Sequence, residues 1–341
     1  MTETPGSGSG GVDFARRPGR IVVTGSVAFD YLMTFPGHFV EHLIPDQLSR
    51  LSVSFLVDEM RRVEGGCAAN IAYGLAVLGD RPLLFATAGP DAAAYRDRLA
   101  GEGVDVSGLR LSPEVFTASF FVSTDLDQNQ IASFYTGAMA LARDLSIADL
   151  AAEDCAVVLI SPNDPQGMKR YADECRAAGI PFIYDPSQQV ARLSGEDLTA
   201  GIEGAAMLIA NDYEMGIVTQ KTGWTAPDIE ARVPVVIETH GAEGSTIVVS
   251  GRERHRIPSA RLEGKALDPT GVGDAFRAGL LRGIRAGLSW EVAGRMGSTA
   301  AVFCLEAQGP QPERYTIPRF MERYESNFGA EPALAEALLR K

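Results

Sequence analysis

A glycine-rich turn near the C-terminus ends in a carboxylate and has the composition of a phosphate-handling site. Asp268 begins the turn, Gly271-Val272-Gly273 form its centre, and Asp274 opens a helical pattern. The backbone N–H groups of these three central residues have no partner within the helix and, with the helix dipole, predict an anion hole. Phosphate repels Asp274, which could instead accept the proton of an attacking hydroxyl. An ordinary helix cap of the same composition is the alternative.

Apolar runs that are typical of buried parallel strands alternate with helical patterns along most of the chain. The predicted strands are 21–24, 83–87, 157–160, 182–184, 207–210 and 235–238, and the predicted helices are 67–78, 92–100, 165–178, 214–221, 273–286 and 290–306. This alternation predicts an α/β fold with a mostly parallel sheet and helices on both faces. Two stretches, 31–63 and 116–135, lack the helical period and predict a small β-sheet lid. The second has the pattern of a hairpin turning at 125–129.

Polar residues follow four of the predicted strands, where the ligands of such sheets bind. They are Ser26 with Asp30, residues 185–189, residues 211–214 and residues 239–244. Each group alone is typical of a helix cap. Together with the glycine-rich turn they predict a single site at one edge of the sheet.

Composition excludes several classes of protein. The chain has 341 residues, 45% of them hydrophobic and 22% charged, which is ordinary for a globular protein and excludes disorder over most of its length. The net charge of −13 argues against a nucleic acid or an anionic membrane as partner, since both require a basic face. A chain of this charge that binds phosphate must create positive potential locally, at helix N-termini or with bound Mg²⁺. The scattered Cys67, Cys155, Cys175 and Cys304 predict reduced thiols.

The ends of the chain differ in composition from its centre. Residues 1–20 are rich in Gly, Ser, Thr and Pro and lack an apolar core, so they predict a disordered tail rather than a signal peptide. Residues 21–327 are expected to form one large domain with the lid, and 328–341 a C-terminal helix or tail. No apolar run approaches the roughly 18 residues that span a bilayer, so we expect a cytoplasmic protein.

Missing motifs narrow the chemistry further. The chain has no G-x-x-x-x-G-K-[ST] loop and neither of the H-R-D and D-F-G triplets of protein kinases. Thr24-Gly25-Ser26 lacks the later glycines of a dinucleotide fingerprint, and the four histidines form no H-E-x-x-H. Dehydrogenases and metalloproteases of these types are therefore disfavoured.

Four motifs occur in an order that resembles the PfkB or ribokinase-like family of carbohydrate and nucleoside kinases. They are Gly65-Gly-Cys-Ala-Ala-Asn70, Asn211-Asp-Tyr-Glu214, Thr239-His-Gly241-Ala-Glu-Gly244 and Asp268-Pro-Thr-Gly-Val-Gly-Asp-Ala-Phe276, within residues 21–310. The resemblance implies a ribokinase-like fold, with ATP as phosphoryl donor. His240 departs from the usual Lys or Leu of the third motif.

The same resemblance assigns the nucleotide and the metal to particular residues. It implies ATP binding by Asn211, Thr239, Gly241, Gly244 and Thr270. It also implies Mg²⁺ held through water by Glu214 and Asn211, and it allows for a monovalent cation.

Within that family, four stretches resemble the adenosine kinases of actinobacteria. The stretches are 23–26 with Asp30, 51–58, 130–135 and 185–194. This similarity implies that Asp30 holds sugar hydroxyls and that Phe120 and Phe134 sandwich the base. The other implied substrate-binding residues are Ser26, Ser54, Gly66, Asn70, Gln188 and Gln189.

General chemistry is compatible with these roles but leaves alternatives. A carboxylate that accepts hydrogen bonds from two vicinal hydroxyls fixes a ribose ring well. Asp30 could nevertheless cap a turn, Asn70 could be an exposed polar residue, and Phe120 and Phe134 could be core residues of the lid.

The sequence therefore predicts in-line transfer of the γ-phosphoryl group of ATP to the 5′-hydroxyl of adenosine, as in purine salvage, with Asp274 as general base. Closure of the lid would exclude water. A kinase of a free sugar such as ribose or fructose, and a nucleoside-binding protein without turnover, are the alternatives. The predicted partners are small molecules, and a homodimer through the lid is allowed.

Overall fold

The computed structural model describes residue 14, residues 17–42 and residues 52–339. All six predicted strands and all six predicted helices are present, and their ends lie within two residues of the predicted ones. The predicted α/β fold is confirmed. In chain order the strands are β1 Arg20–Thr24, β2 Ala28–Thr34, β3 Glu59–Gly65, β4 Leu83–Ala88, β5 Leu109–Leu111, β6 Ala118–Thr124, β7 Gln130–Tyr135, β8 Cys155–Ile160, β9 Phe182–Tyr184, β10 Met207–Asn211, β11 Val235–Thr239, β12 Ser245–Val249 and β13 Glu253–Ile257.

Nine of these strands form one large sheet in the order β13-β12-β11-β10-β9-β8-β1-β4-β5. All neighbouring pairs from β11 to β5 are parallel, so their carboxyl ends meet at one edge. Strands β4 and β8 are buried along their whole length, as helices on both faces require. Strands β12 and β13 add an antiparallel edge that was not predicted. Strand β13 is mostly exposed and rich in charged residues, which is typical of an edge strand and hides its apolar signal.

Helices cover both faces of the large sheet. In chain order they are α1 Phe39–His42, α2 Cys67–Val77, α3 Ala93–Gly101, α4 Pro165–Ala178, α5 Gly195–Ile202, α6 Asp212–Thr222, α7 Ala226–Arg232, α8 Val272–Arg285, α9 Trp290–Leu305, α10 Ile317–Phe328 and α11 Pro332–Leu339. Helices α2, α3 and α8 share one core with the inner side chains of the sheet, and α4, α5 and α6 share another. Helices α10 and α11 pack on α9 through a third cluster.

The smaller sheet has four strands in the order β3-β2-β6-β7, which come from the two predicted lid segments; residues 43–51 of the first segment lie outside the described residues. Strand β2 is antiparallel to β3 and parallel to β6, while β6 and β7 form the predicted hairpin. In its register Asp30 lies beside Phe120, and Phe120 lies opposite Phe134. Because side chains opposite each other point to the same face of a sheet, one row carries the carboxylate and both rings.

Part of the predicted N-terminal tail, residue 14 and residues 17–20, belongs to the folded domain, which corrects the expectation from composition. The apolar side chain of Phe14 packs into the core with 1% exposure, and Arg20 begins β1. Arg285 donates to the Phe14 carbonyl over 2.8 Å and so fixes this segment on α8. The rest of the predicted tail, residues 1–13, 15 and 16, lies outside the described residues. No helix in the part of the chain that the structure describes is long and apolar enough to cross a membrane.

Candidate active site

A cavity of about 810 Å³ lies between the carboxyl ends of the large sheet and the smaller sheet. It brings most of the predicted site residues together from strand ends, helix N-termini and the lid. Those lining it are Ser26, Asp30, Gly66, Asn70, Phe120, Phe134, Gln188, Gln189, Asn211, Glu214, Thr239, Thr270, Gly271, Gly273 and Asp274. A second cavity of about 370 Å³ shares Asn211, Thr239 and Gly273 with the first. It is also lined by Gly241, Gly244 and Val272, so the glycine-rich turn lies where the two cavities meet.

Asp274 lies in the first turn of α8, where it faces the larger cavity. The side-chain amide of Asn70 donates a hydrogen bond of 2.8 Å to its Oδ2 atom. Burial raises the pKa of Asp274 to about 6, although Arg277 and the hydrogen bonds from Asn70 and the Cys67 thiol oppose this rise. A carboxylate with this pKa is ionised at neutral pH and still basic enough to accept a proton.

The glycine-rich turn and the first turn of α8 leave backbone donors free. Gly271 has φ +77°, and a Cβ there would lie 2.4 Å from the Cβ of Pro310, so only glycine fits. The N–H groups of Gly271 and Gly273 make no hydrogen bond to the described part of the chain. The N–H of Val272 donates to the Pro269 carbonyl over 3.3 Å, so this member of the predicted anion hole is already engaged in the turn.

Asn70 belongs to a buried polar network and is not an exposed polar residue. Its side chain is 6% exposed, and its Oδ1 atom accepts a hydrogen bond of 2.9 Å from Gln311. Gln311 also contacts the Tyr95 hydroxyl. With both ends of the amide engaged, the orientation of Asn70 toward Asp274 is fixed. Gln311 was not predicted, because 241 residues separate it from Asn70 and no local pattern marks the contact.

Asp30 faces the cavity from the centre of the smaller sheet, in the row that it shares with Phe120 and Phe134. Burial and the negative charge of Asp268 raise the pKa of Asp30 to about 6. Phe134 is 47% exposed and Phe120 is half-buried, so both rings keep a free face toward the cavity. A role as lid core alone does not account for that exposure.

Ser26 and Gly66 shape the entry to α2. The hydroxyl oxygen of Ser26 accepts a hydrogen bond of 3.0 Å from the Cys67 N–H, which leaves its own proton available. Gly66 has φ +95°, and a Cβ there would lie 2.5 Å from the Ser26 carbonyl oxygen. Ser54, by contrast, is exposed and lines neither cavity, so the structure does not bring this predicted substrate contact to the site.

Asn211 and Glu214 cap α6 reciprocally. The Asn211 side chain accepts from the Glu214 N–H over 2.7 Å, and Glu214 Oε2 accepts from the Asn211 N–H over 2.8 Å. The Asn211 oxygen is therefore committed to the helix, whereas the second carboxylate oxygen of Glu214 is not used by the cap. Burial raises the pKa of Glu214 above its ordinary range. One carboxylate oxygen beside an anion-binding turn fits Mg²⁺, which keeps several waters and shares substrate phosphates.

The segment after β9 also contributes to the cavity, through Ser187, Gln188, Gln189 and Arg192. Gln188 is exposed, and Gln189 is buried and donates to the Asn163 carbonyl over 2.7 Å. The Oε1 atom of Gln189 is buried without a partner among the described residues. Arg192, which follows in the same turn, also lines the cavity and was not assigned a role from the sequence.

Arg277 is the main residue that sequence reasoning missed. It is 6% exposed, lines the cavity and forms an ion pair with Asp185. The available signal was its spacing: a residue three positions after Asp274 lies on the same side of a helix. The motif that contains His240 keeps its glycine framework, and the imidazole Nε2 lies 3.1 Å from the Thr246 hydroxyl.

Comparisons with known proteins agree with this geometry. The model of the pfkB family carbohydrate kinases matches residues 23–316. The nucleoside kinase of Burkholderia thailandensis, solved in complex with inosine, is 39% identical; the alignment covers 91% of this chain and 99% of that one, with a TM-score of 0.81. The nucleoside kinase of Methanothermobacter thermautotrophicus is 29% identical over 92% of this chain and 98% of its own length. The adenosine kinase of Saccharomyces cerevisiae is 26% identical over 74% of this chain and 80% of its own length.

Proposed function

The chain belongs to the pfkB family of carbohydrate kinases, with a ribokinase-like fold, and on that basis we propose that it is a purine nucleoside kinase that phosphorylates the 5′-hydroxyl of adenosine. Membership in the family makes it a nucleoside or sugar kinase that uses ATP. The proposal concerns the acceptor. Relatives named as nucleoside kinases, one of them solved with inosine, support a purine nucleoside as acceptor.

The observation that carries the proposal is the row formed by Asp30, Phe120 and Phe134. A carboxylate that can bind two vicinal hydroxyls stands next to two aromatic rings on one face of the smaller sheet. A nucleoside likewise carries a diol and a flat base. Each ring–base stack is worth roughly 1–3 kcal/mol. A cavity of about 810 Å³ also has room for more than a single sugar ring.

The residues around the glycine-rich turn support direct phosphoryl transfer. Asp274 takes the proton of the attacking hydroxyl, while Asn70 keeps its carboxylate oriented. The free N–H groups of Gly271 and Gly273 stabilise negative charge on the phosphoryl group. The second cavity, lined by Thr239, Gly241 and Gly244, is where we place the rest of ATP. Glu214 would hold Mg²⁺ through water, and the ion would neutralise charge on the polyphosphate.

A free sugar such as ribose or fructose is the second candidate acceptor, because it would use the same catalytic residues. It would leave the faces of Phe120 and Phe134 without a stacking partner. The intact Asp274 and glycine turn also argue against a binding protein that lacks turnover.

The product identifies the reaction directly. Incubation of the protein with ATP, Mg²⁺ and adenosine should give AMP, with phosphorus coupled to the 5′ protons in the NMR spectrum. The same incubation with 5′-deoxyadenosine should give no phosphorylated nucleoside. Phosphorylation of 5′-deoxyadenosine, or of adenosine at another hydroxyl, would overturn the assignment.

A further inference from the structure

Arg277 holds a buried positive charge at the glycine-rich turn. It lies on α8 three residues after Asp274, and only 6% of the residue is exposed. The chain as a whole has a net charge of −13, and the cavity is also lined by Asp30, Glu214 and Asp274. A fixed cation is therefore of particular value at the point where a phosphate must bind.

Two of the three guanidinium nitrogens are fixed by the segment after β9. Nε and Nη2 both donate to the Asp185 carboxylate, the second over 2.7 Å, and Nη2 also donates to the Ser187 hydroxyl over 3.0 Å. Ser187 in turn donates to Asp185 over 2.7 Å. Burial opposes the positive charge, but Asp185 outweighs it and raises the pKa of Arg277 above its ordinary value. The cation is thus both permanent and held in one orientation.

The third nitrogen, Nη1, has no hydrogen-bond or ion-pair partner among the residues that the structure describes. It lies beside the anion-binding turn, because a Cβ built on Gly273 would come within 2.8 Å of it. The N–H of Gly273 is one of the free backbone donors there. Because Arg277 lines the cavity, this charged nitrogen is available there to an anionic ligand.

We propose that Nη1 of Arg277 binds the phosphoryl group that is transferred, and that Asp185 and Ser187 position it. As the bond from the acceptor oxygen to the γ-phosphorus forms, the bond from phosphorus to the β,γ-bridging oxygen breaks. The acceptor proton passes to Asp274, and ADP leaves. Arg277 binds the charged oxygens of the phosphoryl group throughout, in the way that fixed donors stabilise such transition states. This inference rests on one part of the proposed function, the transfer of a phosphoryl group from ATP. It does not depend on the identity of the acceptor.

A purely structural ion pair is the competing explanation. Ser187 has φ +38°, a conformation that costs free energy in a residue other than glycine. Arg277 could serve only to hold that segment in place. The two explanations predict different nucleotide binding by a variant of Arg277. If Nη1 binds the transferred phosphoryl group, the variant should lose affinity for ATP but not for ADP, because only ATP carries a γ-phosphate. A purely structural ion pair predicts no such difference.

Calorimetry in the presence of Mg²⁺ distinguishes the two explanations. It measures how tightly Arg277→Gln binds two nucleotides, the β,γ-imido analogue of ATP and unmodified ADP. We expect the affinity for the analogue to fall about 10- to 100-fold and the affinity for ADP to change less than about threefold, as for loss of one charge-assisted contact. Turnover should fall on the order of 10²- to 10³-fold. Arg323→Gln is the matched control, because Arg323 is 1% exposed and pairs with Glu306, and neither residue lines either cavity. It should preserve both affinities.

Equal loss of both nucleotides in Arg277→Gln, or no loss of either, would overturn the proposal. Because removal of one partner leaves Asp185 buried without its cation, the single variant is expected to be less stable. The double variant Asp185→Asn/Arg277→Gln removes both charges and should show the same selective loss of the ATP analogue. Arg277→Lys, which keeps the charge, should retain part of that affinity. A parent protein that fails to phosphorylate any nucleoside would refute the proposed acceptor. The comparison of ATP-analogue and ADP binding could still be interpreted, because it requires no acceptor.

Discussion

The side-chain amide of Asn70 donates to Asp274 across 2.8 Å, from the first turn of α2 to the first turn of α8. The two helices thus meet at their N-termini, and the positive ends of both dipoles lie at the same point. The oxygen of the same amide accepts from Gln311, so the amide cannot turn over. The carboxylate that we propose as general base is therefore held by the polypeptide before any substrate binds.

Replacement of Asp274 by Asn should abolish most turnover while ADP binding is retained. The variant keeps the size of the side chain but cannot accept the proton of the hydroxyl. General-base removal costs on the order of 10²- to 10⁴-fold in kcat. Steady-state kinetics and ADP calorimetry on the purified variant check this result. Turnover equal to that of the parent would refute the role of Asp274 as base.

The pH dependence of the reaction should show the titration of two carboxyls of the cavity, Asp274 and Asp30. Burial raises the pKa values of Asp274 and Asp30 to about 6, and both groups act only when ionised, so activity falls as the pH is lowered through 6. In the free enzyme both carboxyls titrate, so kcat/KM should fall with a slope approaching two. Bound hydroxyls keep Asp30 ionised in the complex, so kcat should fall with a slope of one.

Two variants assign these slopes to residues. Asp30→Asn should reduce the slope of kcat/KM from two to one. Asn70→Ala removes a hydrogen bond that lowers the pKa of Asp274, so its kcat profile should move to higher pH. Rate profiles between pH 5 and 9 measure both effects. A parent kcat that stays constant down to pH 5 contradicts the account of Asp274.

Phe134 and Phe121 lie on opposite faces of the β6–β7 hairpin and form a matched pair for mutation. Phe134 faces the cavity, whereas Phe121 stacks on Tyr31 with ring centroids 4.6 Å apart and is 38% exposed. Phe134→Ala should raise the KM for adenosine by a factor that corresponds to about 1–3 kcal/mol and leave kcat nearly unchanged. Phe121→Ala should leave KM unchanged. Similar KM values for the two variants would assign both rings to the packing of the lid.

Glu214→Gln should increase the Mg²⁺ concentration needed for half-maximal activity without a change in nucleoside affinity. The substitution removes the charge that would attract the hydrated ion but retains most of the cap. Asp228→Asn is the control, because Asp228 occupies the same position in the capping box of α7, away from both cavities. Magnesium titrations of the two variants and the parent give the comparison. Coincident curves for Glu214→Gln and the parent would remove Glu214 from the metal site.

The sequence pattern was sufficient to predict the parallel strands of the core and the cavity-lining residues that lie close to a motif. The apolar runs of β1, β8 and β10 are buried on both sides, so their signal is strong and local. Asp274 and Gly271, which both line the cavity, could be predicted as site residues because a single turn of chain contains backbone donors and a carboxylate.

Contacts between distant parts of the chain could not be predicted from the sequence pattern. Asp185 and Arg277 are 92 residues apart, and Asn70 and Gln311 are 241 apart, so only the folded sheet edge brings them together. Asn211 illustrates a different difficulty. A polar residue after a strand is typical of both a cap and a ligand, and the structure shows Asn211 as a cap that also lines the cavity.

The identity of the acceptor is tested most directly by competition. The parent protein is given ATP, Mg²⁺ and equal concentrations of adenosine, inosine, ribose and fructose, and the initial rate of formation of each phosphorylated product gives the ratio of kcat/KM values. We predict that adenosine is phosphorylated at least about tenfold faster than ribose and fructose, because only a nucleoside can stack on Phe120 and Phe134. Phosphorylation of ribose or fructose at a rate equal to or above that of both nucleosides would contradict the proposed function.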